Sequence, residues 1–194
     1  MAKTVTAAEM KERERAANEA GLLYIQMMEN AGRAAYAELK RRVPALRRLL
    51  IVAGKGNNGG DGFVMARVAA KEGVQVRVLL AEGEPKTADA KTNLARLAET
   101  AAEVVRDTEQ AAFGADAVVD ALYGTGFHGE LRPDGAAACA LMGRERERGA
   151  FVLALDLPSG VSADSGEVAE GAVQADATVT FDCTKPLHFA KASK

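Results

Sequence analysis

Much is scarce in this 194-residue chain. No apolar run approaches the length of a membrane span, so no membrane association is expected. The N-terminus, Met1-Ala2-Lys3-Thr4-Val5-Thr6, leads into a charged helical pattern without a signal-peptide core, which points to a cytoplasmic protein. Basic charge is not in excess: the formal net charge is -2, so nucleic acid is not expected as a partner. The two cysteines, Cys139 and Cys183, have no C-x-x-C spacing and read as reduced packing thiols rather than as a disulfide, a zinc site or a nucleophile. No repeat, low-complexity tract or linker interrupts the chain, and its length suits one domain, with N-terminal helices over 6–42.

Glycine, by contrast, is concentrated. The stretch Gly54-Lys55-Gly56-Asn57-Asn58-Gly59-Gly60-Asp61-Gly62 follows the apolar run Leu49-Leu50-Ile51-Val52-Ala53 and precedes an alanine-rich helical pattern. The pattern predicts a strand, a glycine turn and a helix over 60–72. The glycines are expected to supply positive φ and close approach to a ligand, and the helix start to offer N–H groups to an anion. Two adjacent amides and a carboxylate are more than a plain turn requires.

Thr6 and Glu9 have capping-box spacing for a first helix over 7–20, stopped by Gly21. A second helix is expected over 22–42, ended by Val43-Pro44, with Gly32 inside it as a sign of close packing and Asn30 as a candidate buried amide. Further strands are predicted at 74–80, 103–105, 117–120, 151–156 and 177–181, with helices at 87–100, 108–113 and 135–148. Strands alternating with helices predict a Rossmann-like, doubly wound α/β fold: a mostly parallel sheet of order 3-2-1-4-5 with helices on both faces.

In that order three strand ends converge. They carry Asn57, Asn58 and Asp61, then Asp120, then Asp156 and Ser159, at the edge where open sheets bind ligands. Converging carboxylates imply a bound cation, a carboxyl of raised pKa, or both. Amide, carboxylate and hydroxyl ligands suit a hard cation, and the absence of His and Cys argues against zinc. Asp120 and Asp156 also admit a plainer role, capping backbone N–H groups at the strand ends. Taken alone, Gly54-x-Gly56-x-x-Gly59 fits a dinucleotide fingerprint with Glu82 as the ribose-binding acid of an NAD-dependent dehydrogenase. The loop Tyr123-Gly124-Thr125-Gly126-Phe127-His128-Gly129-Glu130 has the glycine content of a ligand-facing turn.

Four segments together, Asn57-Asn58-Gly59-Gly60-Asp61-Gly62, Asp120-Ala121-Leu122-Tyr123-Gly124-Thr125-Gly126, Asp156-Leu157-Pro158-Ser159-Gly160 and Met28-Glu29-Asn30-Ala31-Gly32, resemble the motifs of the NAD(P)H-hydrate epimerases, the YjeF N-terminal domain family. The likeness runs over about 4–186. It implies a substrate, NADHX or NADPHX, whose nicotinamide ring is hydrated at C6, and interconversion of its R and S epimers for an S-specific dehydratase. By motif, the substrate site is Asn57, Asn58, Gly59, Gly60 and Asp61, residues 124–130 and Asp156. One potassium ion per subunit is held by Asn58, Asp120 and Ser159.

The resemblance also implies a homodimer. In this reading Asp156 is the acid/base residue, Asp120 serves the cation and Asp61 orients its loop. Residues 124–130 receive the pyrophosphate, with His128 as a further donor and Lys185 as a nearby positive charge. The chain stops at Lys194, where family members usually continue into another strand, and it lacks the dehydratase domain fused to many bacterial members, so the dehydratase is expected on a separate chain. Two other readings of the same fold are a dehydrogenase and a non-catalytic interaction module of the RNA-decay or lipoprotein-binding type.

Overall fold

The computed structural model describes residues 4–184; Lys185 lies outside them. Six parallel strands form one sheet in the order β3-β2-β1-β4-β5-β6. They are β1 (Arg48–Ala53), β2 (Gln75–Leu80), β3 (Glu103–Val105), β4 (Ala117–Ala121), β5 (Phe151–Leu155) and β6 (Ala177–Val179). The expected order is therefore present and extended by β6. The helices are α1 (Ala7–Glu19), α2 (Tyr24–Arg42), α3 (Asn57–Lys71), α4 (Ala88–Leu97), α5 (Thr108–Ala111) and α6 (Pro133–Glu147).

Alternation along the strands builds two cores. Leu49, Ile51, Val78, Val119 and Leu153 point toward α2, α3 and α4, while Leu50, Val52, Leu79, Val118 and Val152 point toward α5 and α6. Nearly unbroken burial of β1, β4 and β5 is what strands covered on both faces require. Helix α1 belongs to neither layer. Its one buried residue, Met10, packs in a small cluster with Val5 and Cys183. Its N-terminus carries the predicted capping box: Thr6 Oγ1 accepts from Glu9 N–H and Glu9 accepts from Thr6 N–H.

Two expectations change. Helix α3 starts at Asn57, three residues before the predicted start, so the Asn-Asn-Gly-Gly-Asp run forms its first turns instead of a loop. None of Gly54, Gly56, Gly59, Gly60 or Gly62 has positive φ. What excludes side chains there is packing: a Cβ at Gly54 would lie 1.9 Å from the Leu122 carbonyl oxygen, and one at Gly59 would lie 2.1 Å from that of Gly54. The glycines let the helix start sit on the ends of β1 and β4, so the close approach is to the protein's own backbone.

Gly32 plays the predicted part, since a Cβ there would fall 2.6 Å from that of Val64 on α3. Around it, Met28 supports Gly60, and Glu29 pairs with the buried Arg67 of α3. Asn30 is exposed and accepts from Gln26 at 3.1 Å, so it is not the buried amide that the sequence suggested. Both cysteines are buried thiols, and burial with the nearby Asp120 charge pushes Cys139 up to about 12. Among the described residues no helix is long and apolar enough to cross a membrane.

Candidate active site

The C-terminal ends of β1, β4 and β5 adjoin one another in register, with Val52 opposite Asp120 and Asp120 opposite Ala154. The segments leaving these ends build a cleft of about 1220 Å³, somewhat larger than is usual for small-molecule sites. It is lined by Asn57, Asn58, Asp61, Gly124, Thr125, Gly126, Phe127, His128, Glu130 and Asp156. Ten predicted substrate residues thus share one cavity. Gly59 and Gly60 are buried beneath it, and Gly129 faces an adjoining pocket with His128 and Ser162.

Asp120 and Ser159 lie under the floor, both at 0% exposure. Ser159 donates to Asp120 through its hydroxyl at 2.6 Å and its N–H at 2.7 Å, and Leu122 N–H adds a third donor at 3.2 Å. Burial pushes the Asp120 carboxyl up to about 6, although these three donors pull it down. Ser159 Oγ in turn accepts from Tyr123 N–H at 2.9 Å, and Asn58 Nδ2 donates to the Tyr123 carbonyl at 3.0 Å. The three residues assigned to potassium therefore form one connected cluster.

The chemistry of that cluster fits an alkali cation. It offers oxygen donors only, with a single buried carboxylate whose ionised form lacks a neighbouring positive charge in the contacts above. Among the described residues there is no group of three or more His, Cys, Asp or Glu side chains suited to a metal.

Asp61 and Asp156 form the second acidic centre. Asp156 has φ 66, the left-handed region in which a non-glycine residue is strained, and such strain concentrates at functional sites. Its N–H bonds to Val179 at 2.7 Å, and Oδ1 accepts from Thr180 Oγ1 at 3.3 Å. A Cβ on Gly124 would stand 3.5 Å from Oδ2, in ordinary contact, which places the Gly124 backbone beside the carboxylate. Asp61 projects from the first turns of α3 into the same cleft. Burial raises its pKa well above the ordinary carboxylate range, and the charges of Asp156 and then Glu14 raise it further. Among the converging carboxyls the rise falls on Asp61, to which the sequence reading gave only a loop-orienting role, and on Asp120 below it.

Several lining groups carried no sequence signal. Lys55, Lys86 and Arg132 set positive charges among the carboxylates of the cleft, and Met10, Lys11 and Glu14 enter it from α1. Glu82 is fixed by Tyr123 Oη at 2.8 Å and Arg132 at 3.1 Å, and Tyr123 stacks on Phe127 with centroids 5.1 Å apart. A carboxylate so engaged is poorly placed to take a ribose diol, which removes the main support for the dehydrogenase reading. The 15-residue α3 has no side-chain cap, so its first N–H groups remain available toward the cleft.

The chain is similar to known proteins. The chain is 39% identical over 178 residues to the bifunctional NAD(P)H-hydrate repair enzyme Nnr of Coxiella burnetii, covering 91% of itself and 36% of that protein. It is 42% identical over 179 residues to the NAD(P)H-hydrate epimerase of Pirellula staleyi, covering 86% of itself and 75% of that protein. It thus spans about a third of the first relative's length. The crystal structure of yeast ynu0 superposes with a TM-score of 0.82 at 21% identity, over 96% of this chain and 83% of that one, which shows the same fold. Residues 24–187 match the family described as YjeF-related protein N-terminus, and the chain belongs to that family.

Proposed function

We propose that this protein is an NAD(P)H-hydrate epimerase, an isomerase acting on NADHX or NADPHX. The observation that carries the reading is the pairing of Asp61 with Asp156 in one cleft whose lining also brings in Lys55, Lys86 and Arg132. The C6 hydroxyl of the substrate sits on a carbon bonded to the ring nitrogen. Inversion by ring opening needs a base to take the hydroxyl proton and an acid to protonate the nitrogen as the C6–N bond breaks. The resulting aldehyde rotates, the nitrogen attacks its other face, and both protons return.

Asp156 is the base and Asp61 supplies the proton, a division favoured by the pKa rise at Asp61. Asp61 thereby gains a role beyond orienting its loop. The uncapped start of α3, the loop of residues 124–130 and the side chains of Lys55, Lys86 and Arg132 suit a pyrophosphate. Asn58, Asp120 and Ser159 would hold one potassium ion, which supplies positive charge under the cleft floor. A cytoplasmic homodimer working together with an S-specific dehydratase completes the proposal.

The test is epimerisation of purified (R)-NADHX in potassium buffer, followed through the reduced nicotinamide that an S-specific dehydratase regenerates. The protein should raise the rate above spontaneous epimerisation. Absence of acceleration would overturn the reading in favour of an interaction module.

A further inference from the structure

A second chamber, of about 600 Å³, opens behind the cleft between α1 and α2. Its walls are mainly apolar, with Ala16 and Ala17 from α1 and Leu22, Tyr24, Met27 and Ala31 from the α1–α2 turn and α2, while Arg13, Asn30 and Asp182 add polar groups. It meets the main cleft at Asn57, Asp61, Met10, Glu14 and Phe181, which line both spaces, whereas Asp156 lines the main cleft alone. Asp61 therefore stands at the doorway between a charged space and an apolar one.

We propose that this chamber takes the hydrated nicotinamide ring, leaving the pyrophosphate and adenosine in the charged cleft. The inference rests on the epimerase reading and goes further by assigning the two ends of the substrate to two spaces. A substrate with a pyrophosphate end and an uncharged ring end matches the two spaces, since Lys55, Lys86 and Arg132 line the cleft alone and the chamber is the more apolar of the two. The doorway carries what the ring needs: a proton donor in Asp61, and in Asn57 a side-chain amide able to pair with the ring carboxamide. Asp156 reaches the ring from the cleft side, so the two carboxyls address it from different directions.

Three measurements test the placement. Ala31→Trp and Ala17→Phe fill the chamber from opposite walls, and Ala34→Trp on the exposed face of α2 is the control. With (R)-NADHX, each filled variant should lose about 100-fold in kcat/KM, the scale of a misplaced reacting group. Both should bind ADP-ribose, which lacks the ring, as the wild type does. The third measurement uses unmodified protein: NADHX, but not ADP-ribose, should protect Met27 from peroxide oxidation.

Filled variants that fold and turn over at the wild-type rate would overturn the proposal, as would Met27 oxidation indifferent to NADHX. Equal loss of ADP-ribose affinity would assign the chamber to adenosine instead. A change in oligomeric mass with catalysis intact would assign it to a second copy of the chain. If the wild type itself fails to epimerise, the epimerase reading falls; if the wild type is active and the filled variants match it, only the chamber assignment falls.

Discussion

Two acidic centres lie close together at the C-terminal edge of the sheet, one below the cleft floor and one above it. Below, both Asp120 oxygens accept hydrogen bonds, and the cluster is closed through Ser159, Tyr123 and Asn58. Above, Asp61 and Asp156 line open space, one with a pKa driven up by burial and charge and the other on strained backbone. A satisfied carboxylate fixes geometry and can hold an ion, while one facing a cavity can exchange a proton with a ligand. Burial raises a pKa in both places, so raised pKa alone does not mark a catalytic group; access does.

The largest test of this contrast is Asp156→Asn, which keeps the shape and removes the base. Epimerisation of (R)-NADHX should fall about 10²–10⁴-fold, the usual worth of a positioned proton-transfer group. A variant with unchanged kcat/KM would place the base elsewhere. Asp61→Asn should cost about 10²-fold and should also change the pH profile. An acid must hold its proton, so the wild-type rate should decline as pH rises through the elevated Asp61 pKa, and that limb should vanish in the variant. If the limb persists, another group carries it.

The centre below the floor should respond to ions and to pH in the opposite sense. Potassium requires ionised Asp120, so its affinity should weaken as pH falls through about 6. Binding at 100 times Kd should stabilise the fold by about 2.7 kcal/mol, read as a rise in Tm at pH 8 that shrinks at pH 5. Without the ion, the sign follows from the folded pKa lying above the unfolded one: protonation favours the folded state, so stability should decline as pH rises from about 4 to about 6. Asp120→Asn should abolish the potassium response; a variant still stabilised by potassium would remove Asp120 from the site.

The sheet was legible because each strand is an apolar run bounded by turn residues, and all six strands stand within two residues of their predicted ends. The convergence of Asn58, Asp61, Asp120, Asp156 and Ser159 followed from strand order alone. The glycines misled because composition records the freedom of a residue and not the reason for it. At Gly54 and Gly59 the reason is a carbonyl oxygen within 2.1 Å of the missing Cβ, a tertiary fact without a local signal. The start of α3 was placed late for a related reason: consecutive asparagines and glycines disfavour a helix locally, and packing against β1, α2 and α4 overrides them. The contributions of α1, Lys86 and Arg132 come from segments distant in sequence, where no motif stands.

The unequal seating of α1 and α3 has a consequence for how the molecule opens. Helix α3 carries nine buried residues between two neighbouring helices and the sheet, whereas α1 buries Met10 alone and is otherwise moored by polar links such as Arg13 to Asp182 and Ala7 N–H to Asp164. Amides of α3 should exchange with solvent deuterium only as the whole domain unfolds, and those of α1 by a local opening that leaves the sheet intact. The wall of the cleft bearing Glu14 should thus open before the wall bearing Asp61, so the cleft can loosen from one side while the other stays fixed to the sheet.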